Sequence, residues 1–295
     1  MPAKPALIIH AGAGTYPKDL NRAKRIQTKL RELCEDGYQF LRKHTAVETV
    51  CEIVRRLEDW PETNAGTGAQ LQSDGEARLS ASLMDGEEMK FSGVINIEKI
   101  KNPILIAHLL QKEKDRILSE EGAFQFAKEK GFKIFDVRMK SVGAVRTRLP
   151  ARQEPLLHSK HKRGKYGTVG ACALDRHGHL AAATSTGGKG MERIGRVSDS
   201  CLPAGNFANS YAAVSATGLG EDIIEESLAN TIATRALDLK NLKKALEQTF
   251  REARKRKRRF AVVALDRNGN PFQSKTTEIL YWASQTSLST ACLSL

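Results

Sequence analysis

The chain has no apolar run approaching 18 residues, which excludes a membrane-crossing helix. Its opening, MPAKPALIIH, offers only the short apolar stretch Ala6 to Ile9 after Pro5, which argues against a signal peptide. Cysteine is scarce: Cys34, Cys51, Cys172, Cys201 and Cys292 are odd in number, widely spaced and never form CxxC. No disulfide framework or zinc ribbon is implied, and a reduced, cytoplasmic setting is expected. Aromatic residues make up 6% of the chain and none interleaves its basic runs, so a stacking platform for single-stranded nucleic acid is missing. HExxH, GxSxG and Walker signatures are absent, Gly12-Ala13-Gly14 lacks the third glycine of a dinucleotide fingerprint, and no repeat of 20 to 50 residues occurs. His10 and the pair His158 and His161 have no metal-ligand company. No organic cofactor is expected.

What the chain does contain is enough for one large enzyme domain over 1–295, with 40% apolar residues. Its net charge of +13 is local. Residues 138–165 carry nine Lys and Arg against one Glu, and Arg254 to Arg259 is six cations in a row, so the remainder is close to neutral. The first run, with Pro150, Pro155 and Gly164 and little periodicity, reads as a mobile basic linker over about 138–167. The second suggests a rival function, nucleic-acid binding through phosphate contacts. A solvated helix end accounts for it better, because cations complement the carbonyl terminus of a helix.

Chemistry concentrates after residue 166. Gly167-Thr168-Val169-Gly170 leads into a buried strand (VGACALD), a turn at Arg176 to His179, and a returning strand (LAAATST), which sets Thr168 and Thr186 on adjacent strands. A threonine hydroxyl is a poor nucleophile at neutral pH. Making it the first residue of a chain gives it its own α-amine as base, so cleavage between Gly167 and Thr168 would activate it. Further on, Arg196 and Asp199 lie three residues apart in a small-residue loop. They could grip the carboxylate and ammonium of an amino acid, or they could be a surface ion pair. Ser215 to Glu221 (SATGLGE) follows an apolar strand and precedes a helix beginning near Glu221. There the Thr217 hydroxyl beside the Gly218 amide could form an oxyanion hole, with glycines that admit close backbone approach, or the segment could be a Gly-rich strand-to-helix turn with an acidic first helical turn.

Several motifs in one order then carry a resemblance over nearly the whole chain: HAGAG at His10, LEDWPETNAGTG at Leu57 to Gly68, LSASLMDG at Leu79 to Gly86, then GTVGACALD, TSTGG, GRVSDS and SATGLGE. The chain resembles the plant-type L-asparaginase and isoaspartyl peptidase family of N-terminal-nucleophile hydrolases. That resemblance implies an α+β fold, the four-layered αββα sandwich, and hydrolysis of L-asparagine or β-aspartyl dipeptides after self-cleavage into 1–167 and 168–295. It implies Thr168 as nucleophile, supported by Thr186 and approached by Asn64. Arg196 would hold the substrate α-carboxylate, Asp199 its α-ammonium and Gly220 would lend a backbone contact, with Thr217 and Gly218 at the oxyanion. Main-chain carbonyls of Leu57, Glu58, Trp60, Thr63, Ala65 and Thr67 would wrap a structural sodium ion, although Pro61, Asn64, Gly66 and Gly68 also suit an ordinary turn. An (αβ)2 dimer of processed heterodimers, with neither nucleic acid nor membrane as partner, completes the expectation. A glycosylasparaginase or a taspase-like threonine endopeptidase of the same fold is the enzymatic alternative. Ser80, Ser198 and Cys201 depart from the family pattern without removing a chemical group, and a buried inert thiol is expected for Cys201.

Apolar spacing predicts helices over 21–43, 46–59, 103–110, 122–131, 222–237 and 242–253. A strand is expected at Leu7 to His10, with hairpins over 70–81 around Ser73-Asp74-Gly75 and from Phe260 around Asn268-Gly269.

Overall fold

Two β-sheets lie face to face, each covered on its outer side by helices. The computed structural model describes residues 4–17, 19–137 and 167–293. The expected basic linker therefore lies outside the described residues, Gly167 excepted. The larger sheet has eight strands in the order β12-β11-β1-β5-β6-β2-β3-β4. These are β1 (Ala6–Gly14), β2 (Leu79–Asp85), β3 (Lys90–Ile97), β4 (Ile117–Ser119), β5 (Val169–Leu174), β6 (Leu180–Thr186), β11 (Ile279–Thr286) and β12 (Thr290–Cys292). All neighbours are antiparallel except β3 and β4. The smaller sheet runs β10-β9-β8-β7, from β7 (Asn206–Ala208), β8 (Ala212–Gly218), β9 (Phe260–Asp266) and β10 (Pro271–Lys275).

Four helices cover the larger sheet: α1 (Leu20–Leu41), α2 (Ala46–Asp59), α3 (Pro103–Leu110) and α4 (Glu120–Glu129). Their starts are encoded locally. The Asp19 side chain caps α1, Thr45 and Glu48 form a reciprocal capping box on α2, and Pro103 opens α3, where its missing N–H costs nothing. On the smaller sheet lie α5 (Gly220–Glu225), α6 (Leu228–Leu239) and α7 (Leu242–Lys255).

Three apolar clusters follow this layering. One joins α1 to α4 to the larger sheet through residues such as Leu30, Val54 and Ile104, and one joins α6 and α7 to the smaller sheet through Ile232, Phe250 and Val262. The third, with Ile8, Cys172, Leu180 and Val263, fills the space between the sheets. With a layer on each side, β5 and β6 are buried along their whole length. That is why they read as continuous apolar runs and not as alternation. The αββα sandwich expected from the resemblance is the architecture observed.

Two expectations are corrected. Residues 70–81 do not form a hairpin around Ser73 to Gly75. Their flanks hydrogen-bond across to the 191–192 segment, Ser73 N to Glu192 O and Met191 N to Leu71 O, so the turn is real but joins no strand pair. The hairpin lies one step later, between β2 and β3, where Asp85 accepts from the amides of Glu87 and Glu88. The single helix expected over 222–237 is two, because Ser227 takes the left-handed conformation with φ 44° and breaks the run between α5 and α6. Strands β3, β4, β7, β11 and β12 were not anticipated.

Candidate active site

Thr168 immediately precedes β5 and Thr186 ends β6. The pairing of Val169 with Ser185 turns the two hydroxyls together, and Thr168 Oγ1 donates to Thr186 Oγ1 at 3.2 Å. Both residues are buried. Thr186 Oγ1 also accepts from the Gly188 amide at 3.2 Å, which anchors it to the glycine pair behind it.

Thr217 reaches the same place from the other sheet, at the end of β8. Its Oγ1 is buried without a hydrogen-bond partner. A Cβ on Gly167 would lie 3.3 Å from it, so the Thr217 hydroxyl faces the residue before Thr168. From the opposite side comes β1: a Cβ on Gly12, whose φ is 106°, would come within 2.3 Å of the Gly167 nitrogen. Only glycine permits that approach. Gly218, with φ 145°, likewise leaves no room for a side chain against Arg259 O and Phe260. Residues 167 and 168 are thus enclosed by β1, β6 and the end of β8.

Arg196, Asp199 and Gly220 converge. A Cβ on Gly220 would sit 2.6 Å from Arg196 Nη2 and 2.9 Å from Asp199 Oδ1. Arg196 and Asp199 do not form an ion pair with each other. The guanidinium instead gives Nε and Nη2 to the two carboxylate oxygens of Glu221, at 2.9 and 3.2 Å, and Lys189 Nζ also contacts Glu221 at 2.9 Å. The Arg196 hydrogen bonds hold the Glu221 carboxyl down at about 2. Asp199 is buried, with Oδ2 lacking a partner, and burial pushes its carboxyl up to about 7. Ser198 Oγ beside it is also buried and unpartnered. Native structures rarely leave such groups unsatisfied, so this cluster is suited to meeting a polar ligand.

Asn64 reaches the strand that carries Thr186. Its side chain donates to Gly188 O and accepts from the Gln70 amide, and its carbonyl accepts from Gly187 N at 2.9 Å. Its hydrogen bonds run to the Thr186 loop and to Gln70, with none to Thr168. In the loop expected to hold sodium, the Thr63 hydroxyl lies 2.7 Å from Leu57 O and 2.9 Å from Trp60 O, while Thr67 Oγ1 donates to Glu58 O at 2.9 Å. Ala65 O accepts from Gly68 N at 3.0 Å. Leu57 O and Trp60 O also accept from the Trp60 and Thr63 amides, at 3.3 and 3.2 Å, so each carbonyl already has a donor and would offer a cation its remaining lone pair. Among the described residues, no group of three or more His, Cys, Asp or Glu side chains forms a metal site.

Three side chains around the site have no role in the sequence reading. His10 on β1 is fully buried, and its Nε2 contacts Ser215 Oγ at 2.8 Å, which in turn lies 3.0 Å from Thr184 Oγ1. Burial pushes the imidazole down to about 3, against a smaller opposing effect of the Thr168 main chain, so it works as a neutral link between the two sheets. Nδ1 makes no hydrogen bond of ordinary geometry. Glu58 is buried beneath β6, accepting from Ser185 Oγ at 2.6 Å, Ile104 N at 3.2 Å and Asn102 Nδ2 at 3.2 Å, and burial raises it to about 8. Glu221 is the third. Cys201 matches its expectation: it is buried, donates to Ser198 O, and burial raises its thiol to about 12, which leaves it unreactive.

Comparison with known proteins gives this site its context. The asparaginase family model matches residues 3–293. The chain belongs to the asparaginase family. It is 43% identical over 291 residues to the isoaspartyl peptidase/L-asparaginase of Nostoc sp., covering 94% of this chain and 90% of that protein. The protein of the same description from Synechocystis sp. is 42% identical, with 96% and 88% covered. The plant-type L-asparaginase of Pyrococcus furiosus is 34% identical, with 94% and 95% covered. As a member of this family the chain is an enzyme, a hydrolase with an N-terminal-nucleophile fold, and no described helix is long and apolar enough to cross a membrane.

Proposed function

We propose that the protein cuts itself between Gly167 and Thr168 and then hydrolyses the side-chain amide of L-asparagine or the isopeptide bond of β-aspartyl dipeptides, releasing L-aspartate. The observation that carries this reading is the buried Thr168 hydroxyl 3.2 Å from Thr186, with an unpartnered Thr217 hydroxyl facing Gly167. In the precursor the Thr168 hydroxyl adds to the Gly167 carbonyl with Thr217 supporting the developing oxyanion; the adduct breaks its bond to the Thr168 nitrogen to leave an ester, which water hydrolyses to the Gly167 carboxylate and the free hydroxyl. Cleavage frees the Thr168 amine, which at an unperturbed pKa of about 7.7 to 8.0 is partly neutral near pH 7 and takes the hydroxyl proton. Attack on the substrate amide forms an acyl-enzyme and expels ammonia or the second amino acid. Water then releases aspartate.

Arg196 grips the substrate carboxylate and Asp199 its ammonium, with Gly220 leaving the backbone open to both. Thr217 and Gly218 serve the oxyanion in turnover as in cleavage, and Asn64 shapes the Thr186 loop. A sodium ion in the Leu57 to Thr67 loop would be held by main-chain oxygens of Leu57, Glu58, Trp60, Thr63, Ala65 and Thr67, and would brace Asn64. The two pieces stay together because they share one sheet: β1 of the first lies between β11 and β5 of the second, and β6 pairs with β2. We assign the mature enzyme as a pair of such heterodimers. Purified protein is expected to release aspartate from L-asparagine and from β-aspartyl-leucine, and Thr168→Ala to release none. Turnover of glycosylated asparagine or of a protein substrate alone would move the assignment to the glycosylasparaginase or endopeptidase branch.

A further inference from the structure

The basic run Arg254 to Arg259 is a motif the hydrolytic reading leaves unused. It ends α7 and enters β9, and it lies against α5. Arg258 contacts Asp222 at 3.2 Å, Glu225 at 2.5 Å and Glu226 at 2.9 Å. Arg256 takes both oxygens of Glu226, at 2.7 and 2.5 Å. The main chain of Arg259 is joined as well, its N–H to Asp222 at 2.7 Å and its carbonyl to Leu219 N at 2.8 Å. Asp222 and Glu226 keep only 14% and 11% of their side-chain surface exposed, so these pairs are less screened than ordinary surface pairs. Lys255 and Lys257 form no ion pair with any described residue.

Beyond Asp222, α5 presents Glu221 to Arg196 and Lys189. A six-residue helix has little stability of its own, and this one carries several carboxylates that repel one another when uncompensated. We propose that Arg258, assisted by Arg256, is a positioning element for the substrate-carboxylate site: it fixes α5, and through Glu221 fixes the Arg196 fork. Glu221 occupies the Nε–Nη2 edge, which directs the remaining edge of the guanidinium toward substrate. The proposal rests on the reading of Arg196 as the carboxylate grip.

The test is a double-mutant cycle on the mature enzyme, following KM and kcat for L-asparagine. Arg258→Gln should raise KM about tenfold with kcat within about twofold, the scale of coupling between residues of one network. Arg258→Lys, which keeps the charge but lacks the fork and so tolerates folding better, should raise KM about threefold. In a Glu221→Gln background, Arg258→Gln should add little, because both act on the same guanidinium. The control Lys255→Gln with Lys257→Gln should match the unsubstituted enzyme. KM unchanged in both Arg258 variants, or effects of Arg258→Gln and Glu221→Gln that multiply independently, would overturn the proposal. An Arg196→Lys enzyme with unchanged KM would instead sink the carboxylate-grip reading beneath it.

Discussion

Glu58 and Asp199 are both buried carboxylates near the Thr168 strand pair, yet the regions around them are built differently. Glu58, between α2, α3 and β6, receives three donors and has both oxygens engaged. Asp199, between the Arg196 loop and α5, keeps Oδ2 unpartnered and has Ser198 and Thr217 as similarly unsatisfied neighbours in the site. Burial raises both pKa values, to about 8 and about 7. A perturbed pKa therefore does not separate structure from function in this molecule. The two differ in their hydrogen bonds: the Glu58 region is closed on itself, and the Asp199 region keeps polar groups unmet, which the zwitterion of the proposed function would engage.

The comparison breaks if Asp199 behaves as Glu58 does. Asp199→Asn should lower kcat/KM for L-asparagine by about a hundredfold, in keeping with losing one partner of a desolvated ion pair, while its thermal midpoint stays level or rises because a buried charge is removed. Glu58→Ala should do the converse. It strands three buried donors, so the chain should lose about 2 to 4 kcal/mol of stability by denaturant titration. Arg196→Lys should raise KM about tenfold or more with normal self-cleavage, since an ammonium cannot replace the bidentate fork.

The smallest effect is one of pH. Below about 7 Asp199 becomes neutral and loses its attraction for the substrate ammonium, and the freed Thr168 amine is protonated in the same direction. Initial rates at low substrate should therefore fall as pH drops from about 8.5 to 6, roughly in step with those two titrations. Stability should move the opposite way. Both folded-state carboxyl pKa values are raised, so their contribution is fully present below the ordinary carboxylate range and is lost as pH rises through about 7 and 8. Rates and unfolding midpoints that rise together with pH would contradict the shared assignment.

Much of this was legible in the residues themselves. The two long apolar runs flanking Arg176 to His179 specify β5 and β6, and the position of Thr168 and Thr186 at their ends follows from strand pairing. Helix α2, expected over 46–59 from its apolar spacing, is found at Ala46–Asp59, and the Thr45–Glu48 capping box fixes its start. Strands β7 and β12, only three residues each, lack a periodicity to detect. The break at Ser227 is invisible because an ordinary exposed serine there takes the left-handed backbone with no glycine or asparagine to signal it. Arg196 and Asp199 could be paired by spacing, but Glu221 lies 25 positions beyond Arg196, a separation that only the fold closes. Glu58 stood in the loop motif for its carbonyl, and nothing local shows that its carboxylate turns inward to Ser185.

The central claim is that one hydroxyl, on Thr168, both cuts the chain and carries out turnover. Intact mass of freshly purified protein tests it most directly. The 32.5 kDa chain should resolve into two species whose masses correspond to 1–167 and 168–295, with aspartate release rising as the full-length species disappears, and Thr168→Ala should remain one folded, inactive chain. A full-length species that stays uncut while fully active, or a Thr168→Ala chain that is cut normally, would contradict the account.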